Sequence, residues 1–135
     1  MATKSTKDTE VKGDEDILAL CDQVRQISFD LHMYLRHGHL EKVYENGLAH
    51  RLWKVGIEVE QQRRLQVRDK DGIVLGDYFA DLFVDNRLII ELKACKALAN
   101  EHIAQSLGYL RASGRRHALL INFGSPRIQF KKLIL

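Results

Sequence analysis

Residues 78–93 read Tyr78-Phe79-Ala80-Asp81-Leu82-Phe83-Val84-Asp85-Asn86-Arg87-Leu88-Ile89-Ile90-Glu91-Leu92-Lys93. Two apolar runs flank Asp85-Asn86, the signature of two antiparallel strands joined by a tight turn. Each run carries ionisable groups in its interior: Asp81 in the first, Glu91 and Lys93 in the second. Strand interiors disfavour charge, so these groups need compensating partners. Side chains alternate along a strand, which places Glu91 and Lys93 on one face and Ile90 and Leu92 on the other. Asp81 joins the first pair only if position 81 opposes position 91, and that register requires a three-residue loop or a bulge. A plain two-residue turn at Asp85-Asn86 would set Asp81 against Ile90 and rotate it to the opposite face. The sequence is compatible with both registers.

If the three groups converge, their types define a chemistry. Two nearby carboxylates repel each other, and a hard divalent cation with oxygen preference, Mg²⁺ or Mn²⁺, relieves that repulsion. An ammonium beside them can hold an attacking water or neutralise charge developing on a phosphorus centre. The competing reading is a structural salt bridge from Lys93 to Asp81 or Glu91.

Outward from this hairpin, the pattern before it is helical and then alternating. Ile17, Leu20, Cys21, Val24, Ile27, Leu31, Tyr34 and Leu35 recur at spacings of three and four, which predicts an amphipathic helix ending near Gly38 as a left-handed cap. Leu40, Val43, Tyr44, Leu48, Leu52 and Val55 predict a second helix ending at Gly56. Period-two segments follow at Ile57 to Gln61, Leu65 to Val67 and Ile73 to Leu75, with Asp69-Lys70-Asp71-Gly72 as a hairpin turn. After Lys93, Leu98 to Ala112 is again helical and stops at Ser113-Gly114. Ala118 to Ile121 is wholly apolar, as in a strand covered on both faces, so the strand-helix-strand order from Leu88 predicts a parallel crossover. Ile128 to Leu135 completes an edge strand. The predicted fold is α/β: two helices, an antiparallel meander and a βαβ unit in one mixed sheet.

The chain of 135 residues, 45% hydrophobic and 29% charged, has room for one ordinary packed domain, here residues 17–135. Residues 1–16 hold only scattered apolar side chains and read as a flexible tail. No run approaches the ~20 apolar residues of a membrane span, and the amino terminus lacks the apolar segment of an export signal. Cys21 and Cys95 are too few for a disulfide scaffold or a four-cysteine metal site, which fits a cytoplasmic protein. The formal charge is +3. Because the tail is net acidic, the remainder is more basic than the whole, which favours a polyanionic partner.

Two further patterns flank the carboxylates. His102, Gln105 and Tyr109 form a polar stripe on the third helix, opposite Ile103, Leu107 and Leu110; such a stripe suits orientation of Lys93, a water or a phosphate, and also suits a solvated face. Gly38-His39-Leu40-Glu41-Lys42-Val43-Tyr44 sets Glu41 and Tyr44 one turn apart at the start of the second helix. Taken together these residues resemble the GxxExxY family of the PD-(D/E)XK nuclease superfamily. Gly38-x-x-Glu41-x-x-Tyr44 matches the name motif, and Asp81 with Glu91-Leu92-Lys93 matches the superfamily core. His102-x-x-Gln105-x-x-x-Tyr109-Leu110 resembles the QxxxY motif of RecB-like nucleases, and Leu119 to Gly124 is similar to the strand that follows it. Ala80 stands where the superfamily name has proline, and Gly47 where alanine is usual, the latter a loss of about 1 kcal/mol of helix propensity.

The resemblance implies a restriction-endonuclease-like core and a divalent-metal-dependent nuclease acting on DNA. It implies that Asp81, Glu91 and the Leu92 carbonyl bind Mg²⁺ or Mn²⁺, and that Lys93 acts on the attacking water. Glu41 would complete the site as a direct or water-mediated ligand, and Gln105 and Tyr109 would support it. Candidates for phosphate binding are Arg51, Lys54, Arg63, Arg64, Arg68, Lys96, Arg111, Arg115 and Arg116. A homodimer is a plausible assembly, since one site cuts one strand. The rival reading is a non-catalytic nucleic-acid-binding or protein-interaction module on the same fold; a metabolic enzyme is disfavoured by the absence of a cofactor loop.

Overall fold

A computed structural model describes residues 6–135, with side chains from Asp16 onward. Helix α1 (Thr6–Leu35) and helix α2 (Glu41–Lys54) precede strands β1 (Val59–Arg68), β2 (Val74–Val84) and β3 (Leu88–Lys93). Helix α3 (Asn100–Ser113) then leads to β4 (His117–Asn122) and β5 (Gln129–Ile134). The five strands form one sheet in the order β1-β2-β3-β4-β5. All neighbours are antiparallel except β3 and β4, which run parallel across the α3 crossover, as predicted. The fold is α/β, with a mixed sheet flanked by helices in the restriction-endonuclease-like arrangement.

Alternation along the strands divides the core in two. Leu82, Val84, Leu88, Ile90, Leu92, Leu119 and Ile121 pack with Val24 of α1 and with Tyr44, Leu48 and Leu52 of α2. Phe83, Ile89, Ala118 and Leu133 pack with Tyr109 and Leu110 of α3. The run from Ala118 to Asn122 is buried throughout, because helices cover both faces of β4.

Several boundaries differ from the sequence reading. Of the tail expected over 1–16, residues 1–5 lie outside the described residues, while from Thr6 the chain belongs to α1. Extending an existing helix adds a hydrogen bond for each residue fixed, whereas nucleating one is costly, so the Ile17-to-Leu35 helix can be extended by a segment with few apolar residues. The left-handed turn after α1 begins at Arg36 (φ 62), whose N–H donates to the His32 carbonyl, before Gly38 (φ 113). The alternating segments on either side of Asp69-Lys70-Asp71-Gly72 merge into two long strands, β1 and β2, instead of a series of short ones. Gly47 has a packing reason: a Cβ there would come within 3.0 Å of Leu31 on α1.

Candidate metal and nucleic-acid site

The turn after β2 decides the site. Asp85 (φ 52) and Asn86 (φ 56) are both left-handed, and the Arg87 N–H donates to the Val84 carbonyl at 3.0 Å. That alone would be a two-residue turn. The ladder nevertheless pairs Val84 with Leu88, Phe83 with Ile89 and Leu82 with Ile90, leaving Arg87 as an extra residue. This is the bulged register that the convergence of Asp81 with Glu91 and Lys93 requires.

Backbone pairing of β2 with β3 stops at Leu82 and Ile90, and carboxylates take over where it stops. The Asp81 N–H donates to Glu91 Oε1 at 3.1 Å, and the Leu92 N–H donates to Asp81 Oδ2 at 2.8 Å. The acids therefore occupy a gap between the strands and satisfy main-chain donors that a regular ladder would have used. Lys93 Nζ donates to Gln105 Oε1 at 3.0 Å, tying β3 to α3. Glu41, at the first turn of α2, feels the charges of Asp81 and Lys93 and the Ala94 backbone. The structure thus gathers Asp81, Glu91, Lys93, Glu41 and Gln105 in one place.

Electrostatics mark the cluster. Burial, reinforced by Asp81, pushes the Glu91 carboxyl up to about 9. Burial also raises Asp81, against the stabilising Leu92 N–H, and raises Glu41, with Asp81 adding to the effect. Tyr109 is pushed up to about 12 by burial and by the negative charge of Glu91 and Asp81. Like charges held together in a low-dielectric gap favour a proton or a cation.

The donor chemistry fits a hard divalent ion. Asp81, Glu91 and the Leu92 carbonyl offer oxygen alone. Among the described residues no group of three or more His, Cys, Asp or Glu closes a metal cage. An ion held by two carboxylates and a carbonyl would keep several waters, as Mg²⁺ usually does.

The other expected residues have structural partners. His102 Nδ1 accepts the Ala99 N–H at 3.0 Å and caps α3. Tyr44 OH donates to the Arg36 carbonyl at 2.6 Å, accepts from the His39 N–H at 3.1 Å, and its ring stacks on Phe123, so it fastens the turn that leads into Glu41. Asn122 bonds Cys95 through both its backbone groups and also reaches Gly124 and Gln129.

Two residues were not singled out from sequence. Glu45 is buried, only 3% exposed, and accepts from Lys42, Gln61 and Gln62 at 2.7, 2.8 and 2.7 Å. Gln62 donates to Asp81 Oδ1 as well, at 3.3 Å. Neighbouring strand residues ordinarily point to opposite faces, but the left-handed backbone at Gln62 (φ 54) lets Gln61 and Gln62 both reach Glu45. Glu45 follows Glu41 by one turn and precedes buried Leu48 by three positions, so its spacing was a legible signal; the kink at Gln62 had none.

No curated protein and no solved structure was found to match the chain. A family model described as the PD-(D/E)XK nuclease superfamily matches residues 19–133, which covers β1 to β4, all but the last residue of β5 and both residues of the carboxylate pair, and the chain belongs to that superfamily.

Proposed function

We propose that this protein is a divalent-metal-dependent deoxyribonuclease whose site is formed by Asp81, Glu91, Lys93 and Glu41, with Gln105 and Tyr109 in support. Members of the superfamily are typically nucleases that use divalent metals and act on nucleic acid. The observation that carries the reading is the parting of β2 and β3, which sets two carboxylates against each other beside an ammonium.

Asp81, Glu91 and the Leu92 carbonyl would hold Mg²⁺ or Mn²⁺, with Glu41 reaching it directly or through water. When bound, such an ion activates water and stabilises negative charge at phosphorus. Gln105 fixes the Lys93 ammonium so that it can orient the attacking water or oppose charge on the phosphoryl oxygens. The Tyr109 hydroxyl stays protonated through the neutral range and is available as a hydrogen-bond donor. The Gly38-x-x-Glu41-x-x-Tyr44 and Gln105-x-x-x-Tyr109 spacings support placement in the GxxExxY group. The two free cysteines suit a cytoplasmic location.

The test is cleavage of linear, branched and single-stranded DNA with Mg²⁺ or Mn²⁺, beside Asp81→Ala and Lys93→Ala. We expect metal-dependent cleavage and at least a hundredfold loss in each variant, the order seen when a transition-state stabilising group is removed. Cleavage unchanged by both substitutions would place the activity elsewhere, and inactivity on every substrate would leave a binding module.

A further inference from the structure

A groove of about 870 Å³ runs between β1 and the second half of α3, outside the carboxylate cluster. Arg63, Arg64, Arg68 and Arg111 line it, with Tyr78 and Gly108, and no acidic side chain does. Of the nine cations singled out from sequence, four line this cleft, whereas Arg51 and Lys54 line a separate one that Asp30 shares. Their existing partners are modest. Arg63 pairs with Glu60 and lies over the Phe83 ring, and Arg64 pairs with Asp77. Arg68 donates to the Gly72 carbonyl and to Gln66. These are exposed contacts, of the kind worth little and easily exchanged for phosphate oxygens.

The groove is connected to the acids through aromatic rings. Tyr78 meets Tyr109 edge-on, with centroids 5.0 Å apart, and Tyr109 shares a buried cluster with Ala80, the residue next to Asp81, and with Ile89 of β3. Tyr78 is 43% exposed and the adjacent Phe79 49%. An exposed ring inside a basic cleft has a base to stack on only if that base is unpaired, since duplex bases already stack on one another.

We propose that this groove holds a single-stranded segment of nucleic acid, its phosphates on Arg63, Arg64, Arg68 and Arg111 and a base against Tyr78, and delivers it past Tyr109 to the carboxylate site. The delivery rests on the nuclease reading above; the binding does not. The experiment is fluorescence anisotropy of the full chain in EDTA, where no cleavage occurs, with a labelled mixed-sequence single strand and the corresponding duplex, over a range of salt.

We expect the single strand to bind at least tenfold tighter than the duplex. Arg68→Gln with Arg111→Gln should weaken it at least tenfold and reduce the slope of log affinity against log salt by about 1.4, from about 0.7 for each phosphate contact on a single strand. Tyr78→Ala should weaken single-strand binding about tenfold, as loss of one stacked base does. Arg127→Gln with Lys131→Gln, exposed residues by β5 at the opposite edge of the sheet from the groove, should change it less than twofold, and circular dichroism should show all variants folded. Wild-type affinity in the Arg68/Arg111 variant, an equal loss in the Arg127/Lys131 control, or a duplex preference unaffected by Tyr78→Ala would each overturn the groove. Cleavage is scored separately: arginine-dependent binding without cleavage supports the groove and sinks only the hydrolytic reading, while cleavage with arginine-independent binding sinks only the groove.

Discussion

Glu91 shows what burial does to one carboxyl. Its folded value of about 9 lies above its ordinary 4.5, so between those limits the folded chain holds a proton that the unfolded chain has released. Stability from this group is therefore fully present below about pH 4.5 and is lost as pH rises through about 9. Without divalent metal, the melting temperature should fall from pH 5 to pH 9, and Glu91→Gln should flatten that fall; a parallel decline in the variant would assign it to other groups. Glu45 is a second case. It is the shared acceptor of Lys42, Gln61 and Gln62, and Gln62 links it to Asp81. Glu45→Ala leaves these donors unmatched and should cost about 1–3 kcal/mol in urea unfolding, with weaker Mn²⁺ binding by titration calorimetry because Asp81 loses its brace.

Among the elements, the β2–β3 hairpin matters most. Arg87 is the extra residue that keeps Asp81 on the face of Glu91 and Lys93. Deleting Arg87 would leave the two-residue turn and set Asp81 opposite Ile90, exchanging a carboxylate for an apolar side chain at the core. We expect the deletion to abolish metal-dependent stabilisation and cleavage together and to lower the urea midpoint; retention of either function would mean that the register does not position Asp81. The loop after β4 is pressed equally hard against the end of β3. A Cβ at Gly124 would lie 2.2 Å from the Cys95 nitrogen, and Gly124→Ala should destabilise the chain by about 3 kcal/mol, at the upper end of overpacking costs, as checked by thermal and urea unfolding.

At the scale of the molecule, the sheet separates two jobs. Its α1 and α2 face is a large apolar core, while the α3 side carries a smaller core, the acids at its edge and the arginine groove beyond them. No helix among the described residues is long and apolar enough to cross a membrane. A divalent ion that binds only the folded state should raise the melting temperature, most strongly at alkaline pH, where Asp81 and Glu91 repel each other. Asp81→Asn should remove that increase. An increase retained in the variant would locate metal binding elsewhere on the chain.

By itself the sequence determined the element types, the parallel crossover, the fully covered β4 and the chemistry of Asp81, Glu91 and Lys93, because hydrophobic periodicity and residue type are local properties. It also set Glu41 at the start of α2 and Gln105 on the face of α3 that meets Lys93. Tertiary structure decided the register at Arg87, the left-handed backbone at Gln62, the burial of Glu45 and the gathering of Arg63, Arg64, Arg68 and Arg111 into one groove. Each of these depends on how strands twist, part and pack against helices distant in the chain, and a linear pattern does not encode a one-residue slip that reverses which face a carboxylate takes.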